Sequence, residues 1–113
     1  MNNAELTHKH EVAYISGAIS GDPNYKEKFN SAQMVLEHLG YYVLSPVMIP
    51  EEISLTYSEH MAIDLVMVQV ADCIVLLPDY KESKGAMREL HRANLYNSRI
   101  VFFKGLDTDK PRW

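Results

Sequence analysis

The sequence predicts an α/β domain. The expected form is a flavodoxin- or Rossmann-like three-layer sandwich around a parallel sheet of four to five strands, in the order 2-1-3-4. Three observations predict it. Short apolar runs alternate with helical patterns along the chain as βαβαβαβ, which implies a parallel sheet with helices on both faces. The run Cys73-Ile74-Val75-Leu76-Leu77 has the length and continuity of one buried strand. Right-handed crossovers then restrict the topology and place the switch point between strands one and three.

In chain order, residues 1–11 are polar and read as a flexible lead-in. Residues 12–16 form strand one, which runs into the small-residue loop Gly17-Ala18-Ile19-Ser20-Gly21. Asp22-Pro23 pairs an N-cap acid with a proline suited to the first helical position, so helix one is expected from there to about residue 39. Phe29, Ala32, Leu36 and Leu39 share its apolar face, and Gly40 ends it. Residues 41–44 form strand two, closed by Ser45-Pro46, and an irregular connection follows over 46–57. Thr56 and Glu59 have capping-box spacing, so helix two begins near Tyr57 and runs to about Val70. Strand three covers 72–77, helix three about 84–96 and strand four 98–103, before a polar tail that ends in Trp113. No composition shift divides the 113 residues, and one domain over 1–113 is expected.

Two acids stand where apolar residues belong. On a wheel of about 100° per residue, Ala86, Leu90, Ala93 and Asn97 form one stripe of helix three, and Glu89 lies about 60° from Ala86 at its edge. Asp64 is the only charge between Met61 and Val70. A helix that is apolar all round is buried on more than one side, so helix two either packs between the sheet and another subunit or leaves an apolar patch exposed. Met61 and Met67 are candidates for a homodimer face over 58–70. Asp64 reads either as a buried acid bonded to His60, one turn earlier, or as a proton donor whose pKa burial raises. Glu89 reads either as a helix acid paired with Arg88 or Arg92, or as a functional carboxylate behind the loop after strand three.

Ligands in such sheets bind at the carboxyl ends of the strands that flank the switch point. That topology brings the Gly17–Gly21 loop beside the Asp79–Gly85 loop, and so beside Glu89. Small residues let backbone N–H groups approach a ligand, and Ser83 can both cap helix three and meet an anion.

The bulk properties exclude several classes. A net charge of −4 with eleven scattered basic residues argues against a duplex nucleic-acid binder, while a mononucleotide remains compatible. No apolar run approaches membrane-spanning length, and the polar N-terminus does not read as a signal peptide. Cys73 is the single cysteine, in a predicted buried strand, which suits a reducing cytoplasm. No metal or cofactor is expected: His60 and Asp64 are two potential ligands and not a zinc set, and the first loop lacks dinucleotide and P-loop patterns. Lys81-Glu82 reads as a solvated loop.

Ser83-Lys84-Gly85-Ala86-Met87-Arg88-Glu89, directly after a strand that ends in Pro78-Asp79, resembles the active-site loop of the nucleoside 2-deoxyribosyltransferase-like family. That family includes nucleotide N-glycosidases. Tyr14-Ile15-Ser16-Gly17-Ala18-Ile19-Ser20-Gly21 resembles its first-strand motif, and the likeness is greatest to a small phage and bacterial branch. The resemblance extends over about residues 12–103. It implies that Glu89 is the nucleophile, with Asp64 as proton donor and Tyr14 as a further catalytic residue. It further implies that the substrate is bound by Ser16, Gly17, Ala18, Ile19, Ser20, Gly21, Ser83, Gly85 and Ala86, with Ser83 at a 5′-phosphate. The implied reaction is hydrolysis or transfer of the (deoxy)ribosyl group of a nucleoside or nucleoside 5′-monophosphate. Glu89 is then expected to be ionised and Asp64 to hold a proton more readily. The chain departs from the family pattern at Ser20, often Arg, and at His91, often Gly. The alternative reading is a nucleotide-binding or sequestering protein without catalysis.

Overall fold

A computed structural model describes residues 11–104 of the chain. The lead-in before Glu11 and the tail with Trp113 lie outside these residues. Four parallel strands form one sheet in the order β2-β1-β3-β4: β1 Val12–Ser16, β2 Tyr42–Leu44, β3 Cys73–Leu76 and β4 Arg99–Phe102. Three helices connect them, α1 Tyr25–His38, α2 Tyr57–Val70 and α3 Lys84–Leu95. This is the expected α/β Rossmann-like architecture.

Because strand side chains alternate, each central strand serves two cores. Ala13, Ile15, Cys73, Val75 and Leu77 face α1 and pack on Phe29, Ala32 and Leu36. Tyr14, Ile74 and Leu76 face the other way, toward Val68 of α2 and Ala93 of α3. The register sets Tyr14 beside Ile74 and Ser16 beside Leu76. Tyr14 and Ser16, two residues apart, therefore project on the α2–α3 side.

Helix α2 starts as expected. The Glu59 N–H donates to Thr56 Oγ1 at 3.1 Å, and the Thr56 N–H donates to Glu59 Oε1 at 2.8 Å. Ser83 caps α3, accepting from the Ala86 N–H at 3.0 Å. After α1, Gly40 takes φ +100° and its N–H donates to the Glu37 carbonyl, which closes the helix end.

The start of α1 differs from expectation. The helix begins at Tyr25, and Asp22 does not cap it. Asp22 instead accepts the Asn24 N–H at 2.9 Å and pairs with Lys28 at 2.7 Å, which holds it in the preceding turn. Helix α2 leaves an apolar patch exposed on the single chain. Its inward line is Met61, Asp64 and Val68, while Ile63, Val66 and Val70 are exposed. It is thus covered on one side only. Met61 belongs to the interior and Met67 packs beside the core, so neither forms an outer face. No helix among the described residues is long and apolar enough to cross a membrane.

Candidate active site

The site forms where the carboxyl ends of β1 and β3 meet. The Leu77 N–H donates to the Ser16 carbonyl at 2.8 Å, extending the ladder past β3. The two loops beyond are tied together. The Ala18 N–H donates to Asp79 Oδ1 at 3.1 Å, and Lys28 Nζ of α1 donates to the Ala18 carbonyl at 2.8 Å. Lys28 also pairs with Asp79 and Asp22. One lysine thus holds both loops in register. Gly17 makes this closeness possible, since a Cβ there would lie 2.9 Å from Leu77 Cβ.

Glu89 projects from α3 into this junction and is 3% exposed. The Tyr14 hydroxyl donates to Glu89 Oε2 at 2.8 Å, and Ser16 Oγ donates to Oε1 at 2.5 Å. Each carboxyl oxygen therefore has a fixed donor from β1, which aims the group. Pairing with Arg88 or Arg92 is not what occurs: Arg88 lies over the Tyr57 ring and Arg92 donates to Gln69. Asp64 approaches Glu89 from α2 and is 6% exposed, and its Oδ1 has no hydrogen-bond partner. A buried acceptor left open is costly unless something supplies a donor to it.

Both acids are pushed up. Burial raises Glu89 to about 8, against the Ser16 and Tyr14 bonds that favour its charged form, and the neighbouring Asp64 adds to the rise. Burial raises Asp64 to about 6, while nearby His60 and Glu89 pull it back. The two carboxyls titrate as a pair, and the cause of the rise is depth, since two donor bonds do not repay the removal of Glu89 from water. Burial and the Glu89 charge also push the Tyr14 phenol well above its ordinary value, so it stays a donor.

A cavity of about 810 Å³ opens in front of the pair. Gly17, Ile19, Ser20, Ser83, Gly85 and Ala86 line it, together with Asp64 and Glu89. Tyr14 and Ser16 stand behind Glu89 and act on it rather than on the cavity. Two expected loop positions fall elsewhere. The Ala18 backbone is spent on Asp79 and Lys28, and Gly21, at φ +83°, serves the turn before α1. His91 is exposed and so does not disturb the packing of α3.

Sequence reading missed the far wall. Pro46, Val47, Ile49, Ile53 and Leu55, from the connection between β2 and α2, line the cavity with His60 and Tyr57. The available signal was the apolar content of that connection, unusual for a segment that only crosses the surface. Lys28 and Asp79 were also missed, because partners 51 residues apart leave no local pattern. Among the described residues, no group of three or more His, Cys, Asp or Glu is arranged to hold a metal.

A four-stranded parallel sheet in the order 2-1-3-4 with helices between its strands defines the class: a Rossmann-like domain with the fold of the nucleoside 2-deoxyribosyltransferases. Two solved structures carry that likeness. One is a 2-desoxiribosyltransferase from Leishmania mexicana, with TM-score 0.66 and 17% identity, covering 82% of this chain and 63% of that one. The other is a 2-deoxyribosyltransferase from the psychrotolerant bacterium Bacillus psychrosaccharolyticus, with TM-score 0.64 and 21% identity, covering 81% of this chain and 71% of that one. This chain therefore spans about two thirds of the length of each. No curated protein matches it. The family model described as "Domain of unknown function (DUF4406)" matches residues 11–102, and the chain belongs to that family.

Proposed function

We propose that the protein cleaves the N-glycosidic bond of a nucleoside or nucleoside 5′-monophosphate through a covalent intermediate on Glu89. The observation that carries this reading is the buried Glu89–Asp64 pair at the cavity floor, with Glu89 aimed by Tyr14 and Ser16.

The two raised pKa values supply a proton economy. Near neutral pH the pair holds one proton between the two carboxyls, and the values belong to the pair. On substrate binding that proton passes to Asp64, leaving Glu89 as carboxylate. A Glu89 oxygen then attacks the anomeric carbon as the carbon–nitrogen bond breaks, and the departing base takes the proton from Asp64. The product is a glycosyl ester on Glu89 and a free base. Water, or a second base, attacks the same carbon, releases Glu89 and returns a proton to Asp64. Hydrolysis and transfer differ only in that acceptor. This is the two-step logic of retaining glycosidases, with two carboxylates in unlike environments.

The test is release of free base from each nucleoside and 5′-monophosphate, with and without an acceptor base. The rate should follow a bell, rising as the pH passes about 6 and falling beyond about 8. Below that window both acids are protonated and the nucleophile is lost. Above it both are ionised and the base leaves without a proton. A flat profile, or release that survives in Glu89→Gln, would remove Glu89 from the role.

One observation favours a second reading, a nucleotide-binding protein without catalysis: burial raises the Glu89 pKa, and a protonated carboxyl is a weak nucleophile. Binding of a nucleotide with no base released under any condition would select it. A homodimer also remains part of the proposal. Its face moves to the exposed ridge Ile63, Val66 and Val70 of α2, on the opposite side of the helix from Asp64.

A further inference from the structure

Beside the main cavity lies an open surface pocket of about 600 Å³, which shares Tyr57, Glu82, Ser83 and Lys84 with the first. Its remaining walls are Lys81, Met87 and Arg88. Lys81, Lys84 and Arg88 bring three positive charges to it against the single acid Glu82. That is an excess of two in a chain of net charge −4.

These three cations, like Lys104, differ from those that carry ion pairs. Lys26, Lys28 and Arg99 each meet a carboxylate, and Arg92 donates to Gln69. Among the described residues, Lys81, Lys84 and Arg88 form no ion pair. Lys81 and Arg88 are instead placed over the rings of Tyr80 and Tyr57, at 6.0 and 5.7 Å. Their position also runs against helix electrostatics. The first turn of α3 holds no acid, and Lys84 occupies its first residue, at the end where the helix dipole disfavours cations. A sequence selected only for stability would place an acid there. Unpaired cations gathered at such a point fit a ligand that brings the missing negative charge.

The junction between the cavities is Ser83. Its Oγ accepts from the Ala86 N–H, which leaves the hydroxyl hydrogen free for an anion in the main cavity. Ser83 lines both pockets, so a further negative group on the same ligand would reach the space between Lys81, Lys84 and Arg88. We infer that the substrate carries a phosphate chain longer than one unit, so that a nucleoside 5′-diphosphate or a diester of one is preferred to the monophosphate. This rests on the glycosidic reading of the main cavity and adds the class of substrate to it.

The test is calorimetric binding to the full chain carrying Glu89→Gln, which arrests turnover. The probes are the nucleoside, 5′-monophosphate and 5′-diphosphate of each of the four common bases, with inorganic pyrophosphate. One diphosphate should bind about ten-fold or more tightly than its monophosphate, and the advantage should shrink in 0.5 M salt. In a Lys81→Gln/Arg88→Gln background the advantage should fall below about three-fold, with affinity for the nucleoside retained. Nucleosides bound and base released, with no gain from the second phosphate, would overturn this inference and leave the glycosidic reading standing. Pyrophosphate bound competently, with no nucleoside bound at any concentration, would keep the subsite and remove the glycosidic reading. No binding of any probe would overturn both.

Discussion

The two faces of the sheet are built from the same strands and do different work. On the α1 side, the buried cluster from Ala13 to Phe103 contains no carboxylate. On the α2–α3 side, an apolar cluster of similar extent ends in four polar groups, Tyr14, Ser16, Asp64 and Glu89. The first face stabilises the fold. The second gives up part of that stability, because each buried acid loses hydration that its bonds only partly replace. The contrast lies within single strands. Ile15 points to one side and Tyr14 and Ser16 to the other, so one residue of register decides between core and chemistry.

The largest expected effect separates the two faces by function. Glu89→Gln should lower base release by about 10³-fold or more, as loss of a covalent nucleophile does. It should also stabilise the protein in mild alkali. Folded Glu89 has a pKa raised to about 8 from the ordinary carboxylate value of 4.5, so the folded state binds more protons than the unfolded one between those limits. Stability must then fall as pH rises through that window, and glutamine, which cannot ionise, escapes the loss. At pH 8–9 the variant should gain about 1–4 kcal/mol by denaturant titration, with the gain vanishing near pH 4. A variant that is less stable at pH 9 would show that the bonds from Tyr14 and Ser16 outweigh the burial of the charge.

The opposite signature belongs to the other face. Phe29 is fully buried in the middle of the α1 cluster and touches none of the four polar groups. Phe29→Ala should cost about 3–5 kcal/mol of stability by chemical denaturation. Turnover per folded molecule should stay within about two-fold, since additivity holds for sites without shared partners. A large fall in turnover at a temperature where the variant is folded would mean that the faces are not independent.

What could be read in advance follows the same division. The strands and the sheet order were legible because apolar runs and helical periods are local, and crossover handedness removes most alternatives. Glu89 and Asp64 were legible as anomalies, acids on stripes that otherwise read as core. Their relative pKa was not, because it depends on how deeply each carboxyl sits, and that is set by α2, α3 and β1 together. The role of Asp22 was misread for a similar reason. As a local signal it is a helix cap, and only the approach of Lys28, which also reaches Asp79 on another loop, redirects it. Met61 was misplaced because the helical pattern of α2 is apolar on every side. Periodicity then says nothing about which side faces in, and Asp64, the one charged residue between Met61 and Val70, marks the interior.

The smallest predicted effect falls where the two faces meet. Gly17 lines the cavity, yet the side chain it presses against, Leu77, belongs to the α1 cluster. A methyl group at Gly17 would lie 2.8 Å from Leu77 Cδ1 and 2.9 Å from its Cβ. The Cδ1 contact can be relieved by rotating the leucine, but the Cβ contact requires the backbone to move. Gly17→Ala should therefore cost about 1–3 kcal/mol in thermal or chemical unfolding. It should also raise KM more than it lowers kcat, because the Gly17–Gly21 loop shifts while Tyr14 and Ser16, inside β1, keep their hold on Glu89. A companion Leu77→Gly change removes that Cβ together with the atoms beyond it. If strain against Leu77 is the cause, the double variant should recover KM while losing further stability from the α1 core. If KM stays high in the double variant, the loop's contact with ligand, and not its seat on the strand, is what the glycine protects.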